Sequence, residues 1–199
     1  MLLKLQFFLF SLTFSCTLFS QNIFIDSSEV AIFLNGSSLW SSTTHTMSIS
    51  GGFVIGGFLD FGYQGSFGSI EDQNYYDDDE EYNAHSFLVS GILTKKKMQV
   101  SIDLAITASN ANTTILVLGL GLAKKYHLGN ALEGVLSLST GIGFSLDDFP
   151  GKQEFALALS ADLLLGEIVY FGPGIGYANE EIFYGLNLGV VIPFKLKKY

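Results

Sequence analysis

The chain has 199 residues, of which 48% are hydrophobic and only 15% charged, with 22 glycines, 3 prolines and 1 cysteine. That is too apolar for intrinsic disorder, and the length suits a single domain. All 10 strong bases are lysine against 19 acids, and the resulting net charge of −9 argues against a nucleic-acid partner, whose phosphates demand a basic footprint.

Residues 1–20 read MLLKLQFFLFSLTFSCTLFS. Lys4 precedes an apolar run from Leu5 to Phe14, and Ser15, Cys16, Thr17 and Ser20 follow it. This layout predicts a secretory signal peptide cleaved near Ser20, leaving 21–199 as the mature domain. A membrane anchor fits less well, because Ser11, Thr13 and Ser15 break a stretch that is already short. Cys16 as a lipid acceptor would want a leucine-like residue where Thr13 stands. The mature chain then holds no cysteine and relies on no disulfide. Nor does any later apolar run approach the ~20 residues of a spanning helix.

From residue 29 onward the pattern has period two. Glu29–Trp40 carries it least clearly. In 59–67, Leu59, Phe61, Tyr63 and Phe67 alternate with Asp60, Gly62, Gln64 and Ser66. In 98–107, Met98, Val100, Ile102, Leu104 and Ile106 alternate with Gln99, Ser101, Asp103, Ala105 and Thr107. In 155–163, Phe155, Leu157, Leu159 and Leu163 oppose Ala156, Ala158, Ser160 and Asp162, and 184–194 repeats the arrangement. Successive side chains on opposite faces mean strands. Turn signals at Gly56-Gly57, Lys95 to Lys97, His127 to Asn130 and Leu165 to Glu167 mark tight connections. Longer polar connections are expected at Ser41 to His45, Ser69 to Ala84, Ser109 to Thr113, Asp147 to Gln153 and Ala178 to Glu181. The segments number ten, centred near residues 34, 50, 63, 89, 103, 118, 138, 159, 173 and 188, with eight as the alternative.

The two faces differ in size as well as polarity. One is Leu, Ile, Val, Phe and Tyr. The other is Gly, Ser, Ala and Thr, as at Gly119, Gly121, Ser137, Ser139, Gly141 and Gly143. Small polar residues suit the crowded lumen of a narrow barrel, whereas a soluble barrel's coat should be rich in Lys and Glu. The expected fold is therefore an all-β, antiparallel, up-and-down transmembrane barrel with its apolar face toward lipid. Lysines gather at the short turns and the C-terminus, and acids in the long connections. The lysine rim is then periplasmic and the acidic rim external.

With these features the chain resembles the small bacterial outer-membrane β-barrel domain family, OmpX/OmpW-like in kind. The signal peptide, the stretch Ser48–Tyr63 and the C-terminal segment Asn187-Leu-Gly-Val-Val-Ile-Pro-Phe194 carry the resemblance. It implies residence in the bacterial outer membrane, contact with outer-membrane lipids, and insertion by the barrel-assembly machinery reading the last strand. The chain departs from the usual pattern by continuing through Lys195 to Tyr199, which leaves two registers for that signal.

Candidate chemistry is sparse. The segment Glu71–Tyr82 includes Asp77, Asp78, Asp79, Glu80 and Glu81, carboxylates that are a possible site for Ca²⁺ or Mg²⁺. Without the EF-hand order it reads first as a solvated external loop. Asp60, Asp103, Glu133 and Asp162 project to the expected lumen with no lysine on the same face. Water, protonation or rim lysines folding inward must then satisfy them. His45, His85 and His127 fall in separate loops or turns and share no metal-ligand spacing. The glycines of Gly172-Pro-Gly-Ile-Gly176 belong to a strand rather than a phosphate loop. Trp40, Tyr63, Tyr126, Tyr170, Tyr177 and Tyr184 read as interface aromatics or lumen fillers. No cofactor, metal centre or catalytic residue is expected. The expected role is structural or surface-interacting and non-enzymatic, with a narrow cation-preferring pore as the alternative and a soluble lipid-binding barrel with reversed faces as the second.

Overall fold

The computed structural model describes residue 25 and residues 29–70, 80–95, 97–110, 113–147, 153–166, 168–178 and 180–195. The expected signal peptide and the acidic run 71–79 lie outside the described residues. Ten strands follow one another: β1 (Glu29–Trp40), β2 (Thr44–Ile55), β3 (Leu59–Ile70), β4 (Glu80–Lys95), β5 (Met98–Ser109), β6 (Thr114–Gly129), β7 (Leu132–Ser145), β8 (Gln153–Leu165), β9 (Val169–Ala178) and β10 (Glu181–Lys195). Each pairs antiparallel with its chain neighbours, and β1 pairs with β10 to close the barrel. Closure leaves no sheet edge, so every strand satisfies its backbone groups within the protein, as a hydrocarbon surrounding requires.

The registers fix the tilt. Residues placed directly opposite one another trace Val30, Ile55, Leu59, Gly91, Ile102, Leu120, Thr140, Leu157, Tyr177 and Ile182 around the wall. The path leaves the foot of β1 and returns beyond its top, since Ile182 lies past Tyr184, the partner of Trp40. A stagger of a whole strand length demands steeply inclined strands.

Burial alternates as the sequence pattern requires. In β5 every second residue from Gln99 to Thr107 is buried, while Met98, Val100, Ile102, Leu104 and Ile106 are exposed. Around the exterior Ile32, Ile49, Phe87, Leu120, Leu138, Leu159, Ile175 and Leu188 are likewise exposed. So continuous an apolar coat would be untenable in water and is the expected surface against lipid. A soluble barrel with the faces reversed is thereby overturned.

Two expectations about the frame need correction. The connections 41–43 and 179–180 span two or three residues, the same range as the turns 56–58, 96–97, 130–131 and 166–168 at the opposite rim. Their polar residues continue the strands instead of forming loops, and 179–180 is tight enough to hold Glu180 at φ 70°. The remaining connections of that rim, 71–79, 110–113 and 146–152, are the longer ones. The second correction concerns the lumen. It is not filled by small residues alone, because Phe33, Leu88, Ile92, Val117, Leu164, Phe183 and Val191 also point inward and are buried.

Candidate functional site

The lumen is layered. At the end nearer the lysine-bearing turns, Ala31, Phe33, Val54, Ile92, Ala123, Val135, Leu164, Tyr170 and Val191 form one apolar cluster drawn from eight of the ten strands, with Ile25 packed against it. Toward the other rim, Tyr82, Ala84, Leu88, Ala105, Ile115, Val117, Ala156, Ala158, Ala178 and Phe183 form a second. The members of each cluster come from six or more strands around the circumference, so both crowd the bore. Glycines make room for the largest of them. A Cβ on Gly52 would strike the Phe33 ring, and one on Gly189 would strike the phenol of Tyr170.

A polar belt also lines the lumen. Asp60, Asp103 and Asp162 belong to it, at 0%, 1% and 1% exposure, as their strand phase predicts; Asp103 lies mid-strand in β5, while Asp60 and Asp162 pair with Val54 and Val135 of the first cluster. Asp103 accepts a hydrogen bond from Ser101 Oγ at 3.1 Å. Asp162 accepts from Ser160 Oγ at 3.1 Å and from Asn187 Nδ2 at 2.7 Å. Gly119 and Gly172 give these carboxylates space on the neighbouring strands. Higher up, Ser48, Ser66 and Gln64 form one ladder, Ser86 and Thr107 another, and Thr46 meets Tyr82. The Asn35 amide is buried with neither polar atom hydrogen-bonded among the described residues.

Glu133 is set apart from the three aspartates. It lies at the rim, with its side chain 20% exposed, and meets Lys125 Nζ at 2.5 Å. The expectation that no lysine shares the inward face fails here, because Lys125 continues the inward phase of Val117, Gly119, Gly121 and Ala123 along β6. Its neighbour Lys124 points outward, with its ammonium 5.1 Å from the centre of the Tyr126 ring.

The histidines are strand residues, not loop residues. His45 in β2 stacks on Trp40 and lies 3.0 Å from Ser38 Oγ. His85 in β4 is 2.6 Å from the Tyr63 hydroxyl. His127 ends β6 opposite Glu133. The exterior pairs satisfy polar groups on an otherwise apolar wall. A shallow cleft of about 330 Å³ opens beside His45, Met47, Phe67, Ser69, Glu81 and Asn83. No three His, Cys, Asp or Glu side chains converge to hold a metal among the described residues. Glu80 and Glu81, expected in an external loop, instead open β4, with Glu81 exposed, while Asp77, Asp78 and Asp79 lie outside the described residues.

Sequence reasoning missed the lumen-filling roles of Phe33 and Tyr82 and the Tyr63–His85 pair. Phase held the signal. Phe33 shares its face with Ala31 and Asn35, and Tyr82 with Ala84 and Ser86. Of the aromatics expected at the interface or in the lumen, Tyr170 fills the lumen, whereas Trp40, Tyr63, Tyr126, Tyr177 and Tyr184 face outward.

A closed barrel with a continuous apolar coat and its buried aspartates turned inward defines an integral β-barrel of the outer membrane. Its shape is similar to that of solved structures of that class. A KdgM porin matches at TM-score 0.48 and 5% identity over 79% of this chain and 98% of that one. LpxR from Salmonella typhimurium matches at TM-score 0.47 and 8% identity, covering 83% and 99%. The translocator domain of the autotransporter NalP from Neisseria meningitidis matches at 0.45 and 12%, covering 92% and 94%. At these identities and TM-scores nothing of those proteins' roles carries over to this chain. No protein-family model and no curated protein matches the chain.

Proposed function

We propose that this protein is a small, OmpX/OmpW-like outer-membrane barrel that is non-conducting and non-enzymatic, and that acts through its structure and its external surface. The carrying observation is the pair of apolar clusters in the lumen. Hydrated ions do not cross a bore packed with Phe33, Leu164 and Tyr170 at one level and Leu88, Val117 and Phe183 at another, because entry would strip their water without replacement. The polar belt therefore supports the wall and does not form a path.

Its partners in this reading are outer-membrane lipids, and the barrel-assembly machinery acting on β10. In that strand Ile192 and Phe194 are exposed outward, while Asn187 and Gly189 face in. For the acidic run Asp77 to Glu81, whose last two members Glu80 and Glu81 open β4 and do not belong to a loop, the proposed ligands are divalent cations at the exterior.

Planar-bilayer recording at defined salt tests the central claim. Silence across many insertions is expected, with heat-modifiable gel mobility and resistance to carbonate extraction confirming that the protein is folded and embedded. Reproducible cation-selective steps, abolished by Asp103→Asn, would establish the pore instead.

A further inference from the structure

The outward face of β1 to β4 turns polar near the rim of the longer connections, the external rim in barrels of this class. The registers set Trp40 opposite His45, His45 opposite Ser69 and Ser69 opposite Glu81, one row across four strands. Neighbouring strands lie about 4.8 Å apart, so the row runs for about 14 Å. Two residues deeper, Met47, Phe67 and Asn83 form a second row, and Ile49, Gly65 and His85 a third. The cleft of about 330 Å³ lies in the upper two rows. Small-ligand sites occupy about 300–1,000 Å³. Gly65 leaves a notch beneath it, because a Cβ there would meet nothing within 4 Å. Two imidazoles are held in place around this hollow. His45 stacks on Trp40 and keeps Nε2 on Ser38 Oγ, while His85 keeps Nδ1 on the Tyr63 hydroxyl. On the far wall Ile142, Phe155, Tyr177 and Ile182 are exposed outward within three residues of the same rim.

The lining decides the ligand. Imidazole, hydroxyl, amide and carboxylate groups between them donate and accept hydrogen bonds, and they stand beside the Phe67 ring. Among the described lining residues the one side chain of fixed charge is the Glu81 carboxylate, with neither lysine nor arginine beside it. A phosphate headgroup would meet repulsion there with no cation to offset it. No three His, Cys, Asp or Glu side chains converge among the described residues, so a metal ion is not the match either. An uncharged polyol suits the set, because its hydroxyls both donate and accept while its C–H face packs on an aromatic ring. The cleft opens on the lipid-facing wall, and the exposed Met47, Ile49, Phe67 and Phe87 continue it as apolar surface. A ligand that fills both parts carries acyl chains below its sugar. We propose that this cleft binds the uncharged sugar headgroup of a membrane glycolipid, with the chains laid along Ile49 and Phe87. The assignment rests on the reading that outer-membrane lipids are this protein's partners, and it names the headgroup class.

Trp40 is the chain's single tryptophan and stacks on His45 at the edge of the cleft, so its emission reports on occupancy. The protein is refolded into phosphatidylcholine vesicles containing increasing mole fractions of digalactosyl diacylglycerol with the same acyl chains. A wall without preference takes up lipids in proportion to composition, and its emission then changes linearly. The expected result is a saturable change, half complete at roughly a tenth of the mole fraction that indifferent mixing requires, an enrichment of about 1.4 kcal/mol. Asn83→Leu/His85→Leu puts leucines on a lipid-facing wall and leaves the Trp40–His45 stack intact, so it should fold and return the linear response. Should it fail to fold, Asn83→Leu alone decides by the same criterion. A linear or absent response in the native protein overturns the proposal, as does saturation that survives in the variant. Saturation by anionic phosphatidylglycerol instead of the galactolipid overturns the headgroup assignment. The same change with free galactobiose in the water overturns the lipid as its source. Carbonate extraction and heat-modifiable mobility are read on every sample. Their loss overturns the membrane placement and this site with it, whereas their retention beside a linear response overturns the site alone.

Discussion

Replacing Leu120 by lysine places an ammonium on the outward face of β6, midway along the strand. Leu120 is 55% exposed and is flanked by Leu118 and Leu122 on its own strand and by Ile102 and Thr140 across the ladders. In a water-soluble protein such an exposed change would stay within about 0.5 kcal/mol of neutral. Against hydrocarbon it should cost about 2–4 kcal/mol, falling to about 0–1 near the interface. The native chain supplies the depth scale. Lys124, four residues nearer the rim, is tolerated with its ammonium against Tyr126, and four strand residues span about 13 Å. Leu128, 56% exposed at the end of β6, is the matched control, since it has the same chemistry and comparable exposure at shallower depth. Equilibrium urea unfolding in lipid vesicles should show Leu120→Lys destabilised several-fold more than Leu128→Lys. Equal and small effects for the two would refute the placement of this wall in hydrocarbon.

Other consequences follow from single contacts. Gly189→Ala drives a methyl group into the Tyr170 ring and should cost about 1–3 kcal/mol by overpacking, with Tyr170→Leu in the same chain recovering much of it in a double-mutant cycle. Asn187→Ala removes the 2.7 Å amide donor to the buried Asp162 carboxylate and should cost about 1–3 kcal/mol by urea titration. Glu180→Gly relieves a side chain held at φ 70° and should leave stability unchanged or raise it by about 1 kcal/mol, whereas a clear loss would mean that the Glu180 side chain itself stabilises the turn.

The sequence made the barrel legible because most strands obey a strict two-residue phase. Asp60, Asp103 and Asp162 could be placed in the lumen by counting alone, and burial agrees with the count. The apolar clusters could not be read that way. In Ile115-Leu116-Val117-Leu118, Leu163-Leu164-Leu165 and Val190-Val191-Ile192 both faces are apolar, so the alternation vanishes where the lumen is closed. The short connections failed for a related reason. Ser41 to His45 and Ala178 to Glu181 are polar, and polarity at a water-exposed rim does not separate a strand end from a loop. His85 was missed as a strand residue because a histidine on a lipid-facing wall contradicts the pattern, unless a partner such as the Tyr63 hydroxyl satisfies it.

Why the bore keeps a polar belt beside its apolar clusters follows from what the chain must avoid. A strand with two apolar faces throughout would read as a hydrophobic run, and runs near 20 residues are recognised as membrane helices. Here Gly, Ser, Asn and Asp recur on alternate residues through mid-strand, as in Ser101, Asp103, Ser137, Ser139, Ser160 and Asp162, so no strand presents such a run. Several of the apolar inward residues, such as Val54, Leu164, Tyr170 and Phe183, lie near strand ends, where turns and rim charges interrupt the hydrophobic stretch, while Leu88 lies mid-strand in β4. Filling the belt with Leu and Val would improve packing in the finished barrel, yet it would also lengthen the apolar runs and expose more aggregation-prone surface before closure. Asp103, costly as it is, stands in the middle of β5, where a longer apolar run would otherwise form. On this account Asp103→Leu should give a folded barrel of comparable or greater stability in detergent but a lower yield from cells, through aggregation or mistargeting during export. An undiminished yield would remove the argument.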